Sequence, residues 1–310
     1  MDMKYAVISD IHGNLPAFEA VLADAKNQGV DKFLLIGDYA SSFPWGNSVM
    51  DIIRNLPNAV VIKGNGEDYF IDIFSRKQLD FSNKQFTPVY WAYNSLSPEN
   101  LEYVMSLPQT AVINDGGVDI YLNHALNVFY RYPNVKLFHP LNLRRAIEGA
   151  QFPISQYNCR ATEAILACDG AVADMEALPM AVHLFGHNHM QFNMEYKGRM
   201  FVNPGSCGEP LDINTDASYT ILNCANGRCL TQQRRVAYDL EETAKKLRES
   251  PYTKCAPEWS RVMELELYSA KDYFFEFVMH ISETAKAMGE TVHPISNEAF
   301  DAAAKTWMKL

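Results

Sequence analysis

No stretch of this 310-residue chain approaches the roughly 18 consecutive apolar residues of a membrane-spanning helix, so no membrane role is expected. The opening Met1-Asp2-Met3-Lys4 enters an apolar strand pattern at once, without the basic segment and longer apolar stretch of a secretory signal, and a cytoplasmic protein is expected. Positive charge is scarce. Against 37 Asp and Glu there are 27 Lys and Arg, and the formal net charge of -10 exerts no pull toward a phosphate backbone, so nucleic acid is not an expected partner. The six cysteines, Cys159, Cys168, Cys207, Cys224, Cys229 and Cys255, include no Cys-x-x-Cys pair and no dense spacing. That excludes a zinc ribbon or a disulfide framework and predicts free thiols. A Gly-x-Ser-x-Gly elbow and a Walker-type Gly-rich loop are missing too, as are internal repeats and low-complexity segments.

What is present is an ordinary globular composition, 48% hydrophobic and 21% charged, in a chain long enough for one main domain and an addition. The first third alternates strands and helices. Strands are predicted over 4–9, 32–36 and 59–62, with helices over 15–28 and 47–55; Leu15, Phe18, Val21, Leu22 and Ala25 fall on one face of the first helix. This β-α-β-α-β run points to a sheet with helices on both faces. Residues 67–107 read as helices, 110–113 and 118–123 as a hairpin, and 130–160 as an irregular stretch with one helix near 141–150, a candidate rim or lid. Five strands follow, near 181–185, 191–196, 199–202, 218–223 and 229–236. From 237 to 310 the pattern is helical only, over 238–249, 258–288 and 295–309, and its apolar residues predict an extension packed on the body or at a homodimer surface.

The informative residues stand where apolar runs end. Asp10-Ile11-His12 follows Tyr5-Ala6-Val7-Ile8-Ser9, and Gly37-Asp38 follows Phe33-Leu34-Leu35-Ile36. Asn65 follows Val60-Val61-Ile62, His124 follows Ile120-Tyr121-Leu122, and Gly186-His187-Asn188-His189 follows Leu184-Phe185. Each cluster alone has a plain structural explanation: Asp10 as a helix cap, Gly37-Asp38 and Gly64-Asn65-Gly66 as turns, a single strand-end histidine as a core residue. Together they deliver carboxylate, amide and imidazole ligands to one edge of a sheet, a donor set suited to transition metals.

In this order, Asp-x-His, Gly-Asp, Gly-Asn, His and Gly-His-x-His resemble the calcineurin-like metallophosphoesterases, and Asn203-Pro204-Gly205-Ser206 is similar to the tract that follows the last motif in their small bacterial and archaeal phosphodiesterase branch. The resemblance covers about residues 4–236. It implies an α/β fold, a two-sheet β sandwich flanked by helices, with residues 1–236 as the metallophosphoesterase domain and 237–310 as the helical extension. It implies two metal ions, manganese, iron or zinc, one held by Asp10, His12, Asp38 and His189 and the other by Asp38, Asn65, His124 and His187. Two such ions a few ångströms apart lower the pKa of a bridging water and neutralise phosphoryl charge, so no protein nucleophile is needed.

The departure is Gly66, where the resemblance implies a histidine that protonates the leaving group. Glu67 and His183 are candidate replacements, and Asn14 and Arg131 are candidate substrate contacts. The function expected is hydrolysis of a small phosphomonoester or phosphodiester. A non-catalytic metal-binding scaffold is the alternative, since a retromer subunit resembles the same family, and a one-metal hydrolase of carboxyl esters is a third reading. General acid catalysis typically contributes about 10² to 10⁴-fold. Gly66→His is therefore expected to raise turnover on alkyl phosphates more than on aryl phosphates; equal effects on both would refute this reading of Gly66.

Overall fold

The computed structural model describes residues 3–75, 82–291 and 293–307. The expected helical run through 76–81 and the expected end of the last helix at 308–309 lie outside the described residues. The first unit is β1 (Met3–Ile8), α1 (Leu15–Asn27), β2 (Lys32–Leu35), α2 (Gly46–Asn55) and β3 (Ala59–Val61). Helices α3 (Asn65–Ser75), α4 (Thr87–Ser95) and α5 (Pro98–Ser106) lead to the hairpin β4 (Thr110–Asp115) and β5 (Val118–Asn123). Four helices follow: α6 (Asn127–Tyr130), α7 (Pro140–Glu148), α8 (Tyr157–Leu166) and α9 (Asp169–Ala177). Then come β6 (Val182–Leu184), β7 (Gln191–Tyr196), β8 (Arg199–Pro204), β9 (Ala217–Ala225) and β10 (Arg228–Val236). The extension is α10 (Leu240–Glu249), α11 (Pro251–Cys255), α12 (Pro257–Ser269), α13 (Tyr273–Ala287) and α14 (Asn297–Thr306).

The strands form two five-stranded sheets, ordered β10-β9-β1-β2-β3 and β4-β5-β6-β8-β7. In the first, β1, β2 and β3 run parallel; in the second, β5, β6 and β8 do. Alternation along each strand builds the layers. Tyr5 and Val7 face Leu34, Leu122, Leu184 and Val202 between the sheets, while Ala6, Ile8 and Leu35 face Phe18, Val21 and Val49 of the helices outside. Phe192 and Phe201 of the second sheet, with neighbouring Phe185, pack outward on Phe129, Phe138 and Tyr157. The result is the expected sandwich of two sheets between helical layers.

Two expectations change. The stretch 130–160 is more helical than its prolines suggest, because Pro140 opens the first turn of α7, where a missing N–H costs nothing, and Pro153 precedes a 3₁₀ turn. Its aromatic residues pack under the second sheet, so it is a structural layer rather than a lid. The six cysteines are not all free: Cys224 and Cys229 are disulfide-bonded. They are direct partners in the β9–β10 hairpin, a pairing set by strand register that a search for dense cysteine spacing passes over. Among the described residues no helix is long and apolar enough to cross a membrane.

The extension has a core of its own that is continuous with the body. Trp259, Phe277, Phe300 and Trp307 cluster with Phe43, Trp45 and Trp91 from the first 100 residues. Trp259 is 2% exposed and its indole N–H donates to the Lys84 carbonyl at 2.9 Å, while Asn83 Nδ2 donates to the Ile295 carbonyl at 2.8 Å. Trp259→Ala is expected to cost about 3–5 kcal/mol in denaturant unfolding of the whole chain. A loss below about 1 kcal/mol, the size of a surface effect, would show that the extension adds little to the stability of the body.

Candidate metal centre

The parallel strands, β1, β2 and β3 of the first sheet and β5, β6 and β8 of the second, end at the edge where the ligand loops are tied to one another. Asp10, His12 and Gly13 donate their N–H groups to the carbonyls of Gly37, Asp38 and Tyr39 at 3.0, 3.0 and 2.7 Å. Gly208 N–H reaches the Asp10 carbonyl at 3.0 Å, and Gly186 N–H reaches the His124 carbonyl at 2.8 Å. Five of the candidate ligands adopt left-handed backbone: Asp10, His12, Asp38, His187 and His189, with φ of 52, 51, 58, 75 and 61°. Such conformations cost about 1–3 kcal/mol each in a non-glycine residue and persist only where surrounding bonds over-determine them. Here the abrupt bend brings side chains two positions apart onto one side of the chain.

All seven residues singled out from the sequence come together. Asp10, His12 and His189 form one group and Asp38, His124 and His187 another, the ligand atoms within each lying no more than 4.8 Å apart. Asn65 completes the second group, its Oδ1 lying 3.0 Å from His124 Nε2 and 2.9 Å from His187 Nδ1. Asp38 Oδ2 stands between the groups, 3.8 Å from His12 Nε2 and 3.3 Å from His124 Nε2. Of the seven, His187 is the exposed one, Asn65 is partly exposed and the rest are buried.

The donor set fits a cation. His124 has Nδ1 2.9 Å from the Ile36 carbonyl and His189 has Nδ1 2.7 Å from the Glu209 carbonyl, so in each neutral ring that nitrogen is the N–H donor and Nε2 is a lone pair. Those lone pairs face further acceptors: Asn65 Oδ1 and Asp38 Oδ2 for His124, Asp10 Oδ1 at 3.5 Å for His189. His12 and His189 bring their Nε2 atoms to 3.0 Å of each other. With these two Nε2 lone pairs, the Asp10 and Asp38 carboxylates and the Asn65 oxygen converging, a positive charge placed between them would be favoured. Burial lowers the pKa of His124, but the Asp38 and Asp10 carboxylates reverse this and lift it to about 10. Asp38, although burial pushes it up, is held far below the usual carboxylate range by His124 and His12. A divalent ion meets the same demand through the lone pairs instead of a proton.

The other candidates resolve differently. Glu67 is a brace: its carboxylate accepts the N–H groups of Asp38, Tyr39 and Gly64 at 2.9, 2.8 and 2.9 Å, fixing two ligand loops at once. Burial and the charge on Asp38 push it up to about 7, against the three N–H groups that favour its ionised form. With both oxygens engaged it does not serve as the acid at the Gly66 position. His183 is buried between Tyr121 and Phe201 and bonded to the Pro179 carbonyl, a core histidine. Asn14 is saturated, capping α1 at Ala17 and donating to Gly208 and Tyr238. Arg131 is 68% exposed and paired with Asp174 at 3.5 Å. None of these three side chains points a free group at the ligands.

Sequence reading missed three supporting residues. Ser206 Oγ donates to the Asp10 carbonyl at 2.6 Å, and Tyr130 donates to the Gly186 carbonyl at 2.8 Å while its ring meets His187 edge-on. Glu209 Oε2 lies 3.6 Å from His12 Nδ1. The first lies in a tract the sequence did single out; the other two carry no local signal.

With this geometry, a family model described as the calcineurin-like phosphoesterase superfamily domain matches residues 3–227. The chain belongs to that superfamily. It is 29% identical over 270 residues to an uncharacterized protein, MJ0912, of Methanocaldococcus jannaschii, covering 82% of this chain and 94% of the relative. Its fold is similar to that of a metallophosphoesterase from Sphaerobacter thermophilus, with a TM-score of 0.61 at 23% identity over 87% of this chain and 100% of that one. It is also similar to the hypothetical protein PH1004 from Pyrococcus horikoshii OT3, with a TM-score of 0.56 at 18% identity over 84% and 97% of the two chains. The family is metal-dependent, in keeping with the two candidate ligand groups.

Gly66 is buried, its N–H donating to Asp38 Oδ1 at 2.7 Å, and a Cβ added there would meet that oxygen at 3.0 Å and Ser41 Oγ at 3.4 Å. Any side chain at 66 therefore presses on Asp38, so the gain expected of Gly66→His has to be judged against Gly66→Ala, which is expected to weaken metal retention by itself. A Gly66→Ala protein with unchanged metal affinity would show that Asp38 yields freely. Glu67→Ala strips three buried N–H groups of their acceptor and is expected to cost at least about 2 kcal/mol in unfolding of the metal-free protein. A metal-free stability equal to the parent's would mean the brace is dispensable.

Proposed function

We propose that the protein is a metal-dependent phosphoesterase that hydrolyses a small phosphomonoester or phosphodiester at a centre of two transition-metal ions, manganese, iron or zinc. The position of Asp38 carries this reading: one carboxylate oxygen within 4 Å of imidazole nitrogens from both ligand groups is placed as a ligand shared by two ions would be. Asp10, His12, Asp38 and His189 would hold one ion, and Asp38, Asn65, His124 and His187 the other. When bound, the ions supply an activated water and neutralise the phosphoryl charge.

The chain's own residues determine the rest. Glu67 and the ladder between the 10–13 and 37–39 loops hold the ligands in their bent backbone, so the geometry is set before substrate arrives. Nδ1 of His124 and of His189 is committed to a carbonyl, which keeps each Nε2 free for an ion. His187 and Asn65, the accessible members, mark the side from which a phosphoryl group approaches. Gly66 leaves no side chain to protonate a leaving oxygen, which favours substrates whose leaving groups depart as anions.

The test is hydrolysis of para-nitrophenyl phosphate and bis-para-nitrophenyl phosphate by metal-free protein reconstituted with manganese, beside Asp38→Asn. Manganese-dependent turnover that falls by at least about 10²-fold in the variant is expected, since loss of the shared carboxylate removes a ligand from both ions. Two bound ions with no turnover on any phosphoester would make the protein a metal-binding scaffold. One bound ion with activity on carboxyl esters would make it a different hydrolase.

A further inference from the structure

A cleft of about 520 Å³, lined by none of the seven ligands, lies where β7 and β10, the edge strands of the two sheets, meet the start of α8, the 212–215 loop and the end of α12. Its volume falls within the range of about 300–1,000 Å³ usual for small-molecule sites. Gln191 joins the two sheets there, its Nε2 donating to the carbonyls of Tyr219 and Arg234 at 3.2 and 3.0 Å. Asp212 and Tyr157, which also line the cleft, are 6% and 4% exposed.

The charges in the cleft are already paired. Arg235 donates through Nη2 to Asp212 Oδ2 and through Nε to Gln191 Oε1 at 2.9 Å, and its Nη1 reaches the carbonyls of Asn214 and Asp216 at 3.4 and 3.3 Å. A guanidinium spent in this way on a carboxylate and three other oxygens leaves little charge to draw either an anion or a cation. Two polar groups are left over. Asp212 Oδ1 is a buried acceptor and the Tyr157 hydroxyl a buried donor, and neither has a hydrogen-bond partner among the described residues. Burying such groups bare is costly. Burial, and then the charge of Asp212, raise the pKa of Tyr157 and keep its proton in place. A donor and an acceptor that line one cleft without bonding each other are satisfied together by a group that accepts from the first and donates to the second. A hydroxyl does both. The exposed faces of Ile154 and Tyr268 can cover the C–H groups of a ring, and the Ser155 hydroxyl and Gln233 amide add polar atoms at the rim.

We propose that this cleft is a second binding site, separate from the metal centre, for a small uncharged molecule with adjacent hydroxyl groups, as on a cyclitol, a sugar or a ribose: one hydroxyl bridges the Tyr157 hydroxyl and Asp212 Oδ1, and its neighbour bonds the polar rim. The loop that carries the acceptor is itself tied to the segment after the last ligand. Leu211 N–H donates to the His189 carbonyl at 3.4 Å, and Gln191 N–H donates to Asp212 Oδ2 at 3.3 Å. An occupant is therefore held by a loop that bonds His189 through its backbone. The inference does not rest on the phosphoesterase reading of the centre.

The experiment is a ligand-observed NMR titration of full-length protein kept with zinc, which is diamagnetic, using two matched pairs of probes: myo-inositol against cyclohexanol, and adenosine against 2′-deoxyadenosine. The first member of each pair has adjacent hydroxyls and the second does not. Saturable binding of myo-inositol or of adenosine at about millimolar concentration is expected, with the matched probe without the diol at least about threefold weaker. Which of the two binds separates a cyclitol or sugar from a nucleoside. Tyr157→Phe keeps the ring and removes the donor, and is expected to weaken binding by about 3- to 10-fold. Ser155 is exposed, so Ser155→Trp fills the cleft from its rim without disturbing the packing and is expected to abolish binding; it decides the case if Tyr157→Phe lowers the melting temperature. No saturable binding of either diol would leave water as the partner of Asp212 and Tyr157 and overturn the proposal. Equal binding of the matched probes, or parent-like binding in Ser155→Trp, would overturn it as well.

Discussion

The short ladder from the N–H groups of Asp10, His12 and Gly13 to the carbonyls of Gly37, Asp38 and Tyr39 is the constraint on which the rest of the site depends. It continues the parallel pairing of β1 with β2 past the point where regular strand geometry ends. Without it, left-handed backbone at Asp10, His12 and Asp38 would relax and the ligands would diverge. Glu67 ties the same loop to Gly64 from the other side, and Gly64 has to be glycine because a Cβ would fall 2.2 Å from Asp38 Oδ1. The sheets supply a rigid platform, but these loop-to-loop bonds convert strand ends into a coordination geometry.

That geometry has an electrostatic consequence. Asp10 and Asp38 lie in near-complete burial beside imidazoles whose remaining nitrogens are already spent on backbone carbonyls. Carboxylates in such surroundings are tolerated only when a positive charge is shared among them. The left-handed backbone and the convergent lone pairs therefore belong together: the bends aim acceptors at places where a cation would be shared among them. This also explains why the described centre needs no arginine of its own, Arg131 being occupied by Asp174 at the surface.

Much of this was legible from residue order alone. Short apolar runs gave the strands of both sheets, and the candidate ligand clusters stood out because each ended such a run, which is where a parallel sheet presents its side chains to one edge. What was not legible has a common cause: it depends on pairs far apart in the chain. Asn14 looks like a substrate contact until Gly208 and Tyr238 are seen to take its amide protons. Glu67 looks like a spare acid until three N–H groups from two loops are found on it. The Cys224–Cys229 bond depends on hairpin register, and the Ile213 N–H on the Ala270 carbonyl joins positions from the sandwich and the extension. No local pattern encodes such meetings.

The extension changes how access to the centre is to be understood. Its apolar cluster takes in Phe43, whose N–H donates to the His12 carbonyl at 2.8 Å, and the Ala270 carbonyl at the end of α12 accepts the Ile213 N–H at 3.0 Å, so the extension is bound to loops that flank the first ligand group. The opposite side, at His187 and Asn65, remains open. Under the proposed reading, a phosphoester would reach the ligands past Asn65 at the start of α3 and past Tyr130 at the end of α6, whose ring packs against His187. The loops that hold the ligands are too tightly interlocked to vary without loss of the site. Of the two flanking helices, α3 is itself bound into the centre through Asn65, Gly66 and Glu67, so sequence change that leaves the ligand geometry intact has more room at α6, which meets the centre at Tyr130.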